Sequence, residues 1–145
     1  NIGLTHDLLE VLQAAKKFND NNNVAFVFIG DGLGFEVIRD FAKKEVVKNI
    51  HFLPRQPWKM LPYSLACGDV AIVIQSPGTE HLSIPSKTYY LMSAGAVIYA
   101  ETDESSELNR LINLHNLGMS DNSKDNKEMV DFILKCRYDE SLLLG

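Results

Sequence analysis

Apolar positions along the chain alternate between two rhythms, one suited to helices and one to buried strands. Leu8, Leu12 and Ala15, with Leu9 and Val11 beside them, recur at helical spacing. They predict a helix from an N-cap at Thr5 to about Phe18. The polar run Asn19 to Asn23 ends it, and Val24 to Ile29 follows as a nearly continuous β-branched and aromatic stretch, the mark of a strand covered on both faces. Gly30-Asp31-Gly32 closes that strand, and Phe35, Ile38, Phe41 and Ala42 line one side of a second helix. Ile50 to Leu53 reads as a strand, Pro54 to Pro57 as a turn, and Leu61 to Cys67 as a short helix with Pro62 in its first turn. Asp69 to Ile74 is the next buried strand, followed by a polar loop from Gln75 to Ile84. Pro85-Ser86 starts a helix that stops at Gly95, and Val97 to Ala100 forms a fourth strand. Ser105 or Ser106 caps a helix through Leu114, Gly118 ends that segment, and Lys127 to Arg137 forms the last helix.

Strands separated by helices imply a parallel sheet, because a parallel pair needs a long crossover between its members. The expected fold is therefore α/β: a three-layer Rossmann-like domain with a parallel sheet and helices on both faces, occupying residues 1–145 as one domain. Such sheets bind ligands beyond the C-terminal ends of their strands. A strand should also precede the first helix, yet the chain opens at Asn1-Ile2-Gly3, without an initiator methionine, at the loop that would follow it. That opening points to a segment of a longer protein.

Composition narrows the classes. With 46% hydrophobic and 23% charged residues in 145, the chain has an ordinary globular core and needs no disulfide or metal staple. Cys67 and Cys136 form no CxxC pair or Cys/His cluster, so both are expected to be reduced thiols in a cytoplasmic protein. His6, His51, His81 and His115 are scattered, and no metal site is expected. The net charge of −5, without a basic run, argues against nucleic acid as a partner. No apolar stretch approaches the roughly 20 residues that cross a bilayer. No GxSxG elbow and no nucleophilic cysteine context appears, so the chain shows no self-contained catalytic constellation.

Three strand-to-helix turns carry candidate chemistry. At Gly30-Asp31-Gly32-Leu33-Gly34, glycines let a phosphate approach the backbone and a helix N-terminus. Phe35 stands where a dinucleotide fingerprint needs its third glycine, and the same glycines equally suit a tight turn. Pro85-Ser86-Lys87-Thr88 opens a helix after the long loop, and Lys87 could place a point charge beside a diphosphate or serve as a solvated surface lysine. Ser105-Ser106-Glu107-Leu108 could offer a carboxylate to sugar hydroxyls or provide ordinary capping.

The order of these motifs resembles the C-terminal domain of group 1 (family 4) glycosyltransferases of the GT-B type, in the subset that builds bacterial surface polysaccharides. The matching stretches are Asn1 to Asp7, Phe26 to Gly32, Asn49 to Leu53, Leu61-Pro62, Cys67 to Val70, Pro85-Ser86-Lys87, Met92 to Gly95 with Val97-Ile98, and Ser106-Glu107-Leu108 with Gly118. The resemblance covers nearly the whole chain and implies the donor half of an enzyme that moves a sugar from a UDP- or GDP-linked donor to an acceptor hydroxyl. It further implies retained anomeric configuration, no cofactor, no essential metal, and an acceptor-binding N-terminal domain in the same chain. This domain alone would be inactive, and membrane contact, at the inner face of the cell membrane, would come through the other half. The donor would touch Gly3, Gly30, Gly32, Arg55, Ser86, Lys87, Tyr90 and Glu107; no catalytic residue is assigned. The family's glutamate pair would fall at positions 82 and 90, where Leu82 and Tyr90 stand, with Glu80 nearby. Alternative readings are half of a GT-B-shaped nucleotide-sugar epimerase, or a non-enzymatic flavodoxin- or receiver-like module. Asp31 and Asp69 do not make the acidic cluster a receiver needs.

Overall fold

A computed structural model of the chain describes residues 8–79, 81, 83–123 and 125–139. The chain divides into two compact units, Asn1–Met60 and Leu61–Gly145, each built on parallel strands. The architecture is α/β and Rossmann-like, as the alternation of rhythms predicts.

In the first unit, α1 (Leu8–Lys17) is followed by β1 (Phe26–Gly30), α2 (Leu33–Lys44), β2 (Ile50–Pro54) and a single 3₁₀ turn at Trp58–Met60. The expected N-cap Thr5 lies outside the described residues. β1 and β2 pair in parallel, Phe26 opposite Ile50 and Gly30 opposite Pro54. Side chains alternate across a strand, so Phe26, Phe28, Ile50 and Phe52 share one face. That face meets the helical side: Phe18 lies 6.2 Å from Phe26 and Phe35 lies 5.7 Å from Phe52, centroid to centroid. The Arg39 guanidinium stacks 5.4 Å from the Phe52 ring centre, a cation–π contact. Val27 and Leu53 belong to the opposite face and keep 50% and 44% of their surface exposed. The apolar run at 24–29 therefore predicted the strand but overstated its burial, because such a run looks the same whether one face or two is covered. Asn49 closes the unit from below β2, donating from Nδ2 to the Ala15 carbonyl at 2.9 Å.

The second unit contains α3 (Leu61–Ala66), β3 (Val70–Ile74), α4 (Lys87–Ser93), β4 (Val97–Glu101), α5 (Glu107–Leu114), β5 (Gly118–Asp121) and α6 (Asn126–Tyr138). Its sheet has the order β3-β4-β5, all parallel, with Ile74 opposite Glu101 and Glu101 opposite Asp121. β4 is buried at every position because it is central and covered on both faces. On one face Val73, Ile98 and Ala100 pack with Leu91 of α4 and with Leu108 and Ile112 of α5. On the other face the Tyr99 ring lies 5.8 Å from Phe132 of α6. Burying such a set of aliphatic side chains contributes about 1.5–3 kcal/mol each before entropy is charged against it.

β5 was not legible as a strand. Its residues, Gly118-Met119-Ser120-Asp121, hold one large apolar side chain and no β-branched one. Pairing with β4 makes the strand, and Gly118 permits it. With φ at +142, a Cβ on residue 118 would stand 2.1 Å from the Ile98 carbonyl oxygen, so only glycine lets the backbones approach. Gly118 thus opens an element where the sequence pattern placed an end. Gly95, with φ at +69, stops α4's segment as expected.

Candidate functional site

Within the first unit, the C-terminal ends of β1 and β2 lie side by side, since Gly30 is the register partner of Pro54. Gly30, Gly32 and Arg55 are thereby gathered at one sheet edge. Gly30 and Gly32 have φ of 143 and 112, a backbone that side-chain-bearing residues rarely adopt, and Gly32 is the N-cap of α2 without any side-chain cap. This edge is shaped by backbone alone. Arg55 is exposed just beyond β2, ahead of Gln56, whose Nε2 donates to the Pro54 carbonyl at 2.8 Å. Gly3 lies outside the described residues, as do Glu80 and Leu82.

Within the second unit, the ends of β3 and β4 are register partners and lead into the segments that carry Ser86, Lys87 and Glu107. Ser86 is the N-cap of α4, in helical conformation and making no side-chain cap bond. Lys87 follows as the first helical residue. It keeps exposed surface, yet protein atoms crowd its ammonium, and that desolvation lowers its pKa below the ordinary lysine value. Tyr90 stands one turn along, 46% exposed. Glu107 opens α5 with 67% of its side chain exposed and a long 3.8 Å pairing to Arg110 one turn on, so its carboxylate faces solvent. An exposed pair of this kind adds little to stability.

Sequence reasoning read Ser106 only as a possible cap and passed over Gln75 and Thr102, the buried polar side chains that join it at these same strand ends. Gln75 follows β3 and is 7% exposed; Thr102 follows β4 and is 5% exposed; Ser106, the N-cap of α5, is 1% exposed. Thr102 Oγ1 lies 2.6 Å from Gln75 Oε1 and 2.7 Å from Ser106 Oγ. Ser106 Oγ accepts the Asn109 N–H at 2.9 Å, which settles Ser106, not Ser105, as the cap. The available signal was the abrupt change from apolar strand to Gln75 and to Thr102. Thr88, by contrast, is fully buried in α4 and its hydroxyl has no partner among the described residues. Across the sheet, Tyr99 donates its hydroxyl to Asp121 Oδ2 at 3.0 Å. Burial and that carboxylate push the phenol well above its usual pKa, so it remains a donor and not a nucleophile. Among the described residues no cluster of His, Cys, Asp and Glu could hold a metal ion, and no helix is long and apolar enough to cross a membrane.

Parallel α/β units with polar residues gathered at strand ends define a Rossmann-like class, in which ligands commonly sit beyond the C-terminal ends of the strands. Comparison with known proteins sharpens this. No family model matches the chain. Over 146 aligned residues, covering 100% of this chain, it is 29% identical to a protein of Pseudomonas aeruginosa named as a glycosyltransferase, WbjE. Over 103 residues, 70% of the chain, it is 33% identical to a protein of Escherichia coli (strain K12) named as a colanic acid biosynthesis glycosyl transferase, WcaI. The chain spans 36% of the length of the first and 25% of the second. The matches fall in the C-terminal portion of these proteins, consistent with the C-terminal domain of a GT-B-type glycosyltransferase.

Proposed function

We propose that this chain is the donor-binding domain of a sugar-transferring enzyme, gripping the nucleoside diphosphate of a UDP- or GDP-linked sugar. The observation that carries the reading is the placement of Lys87, the first residue of the helix that follows β3, beside its N-cap Ser86, in a chain whose relatives are named as glycosyltransferases. A lysine there neutralises the charge that builds on a departing diphosphate, and preorganised positive charge of this kind stabilises a transition state more than a ground state. Ser86 offers a hydroxyl beside it. Glu107, exposed on the first turn of α5, accepts hydrogen bonds from ribose or sugar hydroxyls, and Tyr90 adds one hydroxyl where a glutamate's two acceptors would otherwise stand.

In this reading Gly30 and Gly32 leave room for phosphate against the backbone, and the base meets the chain near Leu53 to Arg55. The acceptor belongs to an N-terminal domain of the same protein, whose closure excludes water from the reaction. Transfer proceeds with retained configuration and without an essential metal, at the cytoplasmic side of the membrane. Surface polysaccharide is the proposed product, following the relative named for colanic acid biosynthesis. Calorimetric titration of the full protein with UDP, GDP and NAD in parallel tests the reading. Saturable binding of UDP or GDP that Lys87→Ala weakens supports it; binding of NAD alone sinks it.

A further inference from the structure

The buried polar set at the ends of β3 and β4 forms one chain whose proton directions follow from its chemistry. Gln75 Oε1 carries no hydrogen, so the Thr102 hydroxyl must donate to it. With its hydrogen used, Thr102 can only accept from Ser106. Ser106 in turn accepts the Asn109 N–H, its other lone pair being free for that purpose. At the opposite end, Gln75 Nε2 donates both hydrogens, to the Ser83 carbonyl at 3.0 Å and the Thr79 carbonyl at 3.3 Å. Main-chain bonds brace the two strand ends: Gln75 N–H to the Glu101 carbonyl at 3.0 Å and Thr102 N–H to the Asp121 carbonyl at 2.8 Å. The Asn109 side chain extends the set, accepting from Ser120 and donating to the Glu104 carbonyl at 2.7 Å. Every hydrogen of the three linking side chains is committed.

Apolar residues would bury these strand ends at lower desolvation cost, whereas a fully satisfied polar network selects a single geometry. We propose that Gln75, Thr102 and Ser106 are a positioning relay that locks the segment leading to Ser86 and Lys87 to the first turn of α5, which carries Glu107. The inference rests on the donor-site reading of Lys87 for its functional meaning, but the mechanical coupling stands on the distances alone. Gln75 holds the carbonyls of Thr79 and Ser83 just ahead of α4, and Ser106 holds the start of α5; Thr102 is the link between them.

The test uses the full protein carrying this chain, with Thr102→Val, Thr102→Ser and Gln75→Glu. Valine keeps the shape of threonine and removes the hydroxyl. Amide hydrogen exchange should rise about tenfold in both the 76–88 and the 104–110 segments of Thr102→Val, the effect of leaving a buried partner unmade, and Thr102→Ser should restore it. A rise confined to the neighbourhood of residue 102 overturns the relay. Gln75→Glu turns the two donated bonds into repulsion between oxygens. If wild type binds UDP or GDP, the Kd of this variant should rise about tenfold at neutral pH and fall back on acidification, when the neutral carboxyl can donate again to one carbonyl. An unchanged Kd in folded Gln75→Glu also overturns the positioning role. Wild type that binds neither nucleotide sinks the donor reading instead, and the exchange pattern then decides the relay by itself.

Discussion

The strand ends of the two units are built by different means. In the first, Gly30 and Gly32 shape the edge through backbone conformation, Arg55 stands exposed beyond it, and no side-chain cap closes α2. In the second, three buried side chains tie the strand ends to the helix that follows. A backbone-shaped edge is open to a ligand's phosphate but gains specificity only from what the ligand brings. If the proposed relay holds the segments that carry Lys87 and Glu107, a side-chain-shaped edge sets them before any ligand arrives, and preorganisation of that kind lowers the ordering cost of binding.

The comparison can be broken most severely at Gly118, the glycine on which the second unit's edge strand depends. Gly118→Ala sets a methyl 2.1 Å from the Ile98 carbonyl at a φ that alanine disfavours. The expected loss is about 3 kcal/mol or more, seen as a collapse of the thermal transition. A stable Gly118→Ala protein would show that β5 can shift away from β4. In the first unit Gly32→Ala, also at positive φ, should cost about 1–2 kcal/mol in denaturant titration and, on the donor-site reading, weaken nucleotide binding by about 5–30-fold, the same free energy.

Lys87→Ala tests function without touching the core. Losing a charge-assisted contact should weaken UDP or GDP binding by about tenfold or more while the melting temperature holds. Its lowered pKa also gives a sign. Lys87 loses its proton at lower pH than an ordinary lysine, so diphosphate affinity should decline as pH rises through that lowered pKa. Lys87→Arg, which stays charged, should keep its affinity across the same range. For stability, the folded state binds this proton less tightly than the unfolded chain, so the contribution improves as pH rises from the lowered folded pKa toward the ordinary lysine value.

The finest probe sets two buried threonines against each other. Thr102 is partnered on both sides, whereas the Thr88 hydroxyl has no partner among the described residues. Thr102→Val should lower stability by about 1 kcal/mol, and Thr88→Val should leave it unchanged or raise it by up to about 1 kcal/mol. Equal losses at both sites would mean that Thr88 is satisfied by solvent.

Hydrophobic rhythm was enough to read α1, α2, α5 and α6, and the strands β1, β2, β3 and β4, because each buries a continuous apolar face of its own. The candidate residues Gly30, Gly32, Ser86, Lys87 and Glu107 were legible for a related reason: they punctuate those rhythms at the turns where parallel sheets bind ligands. β5 was not legible, since its four residues bury little and form a strand only by pairing with β4. Nor was the relay, because Gln75 lies 27 residues before Thr102 in the chain, and Gln75, Thr102 and Ser106 look like ordinary loop and cap residues one at a time. The order of elements and the parallel alternation therefore lay in the sequence, in local periodicity and turn chemistry. Which polar side chains were to be buried together, and which glycine had to let two strands meet, was decided only by the tertiary structure, where register brings β3, β4 and β5 side by side.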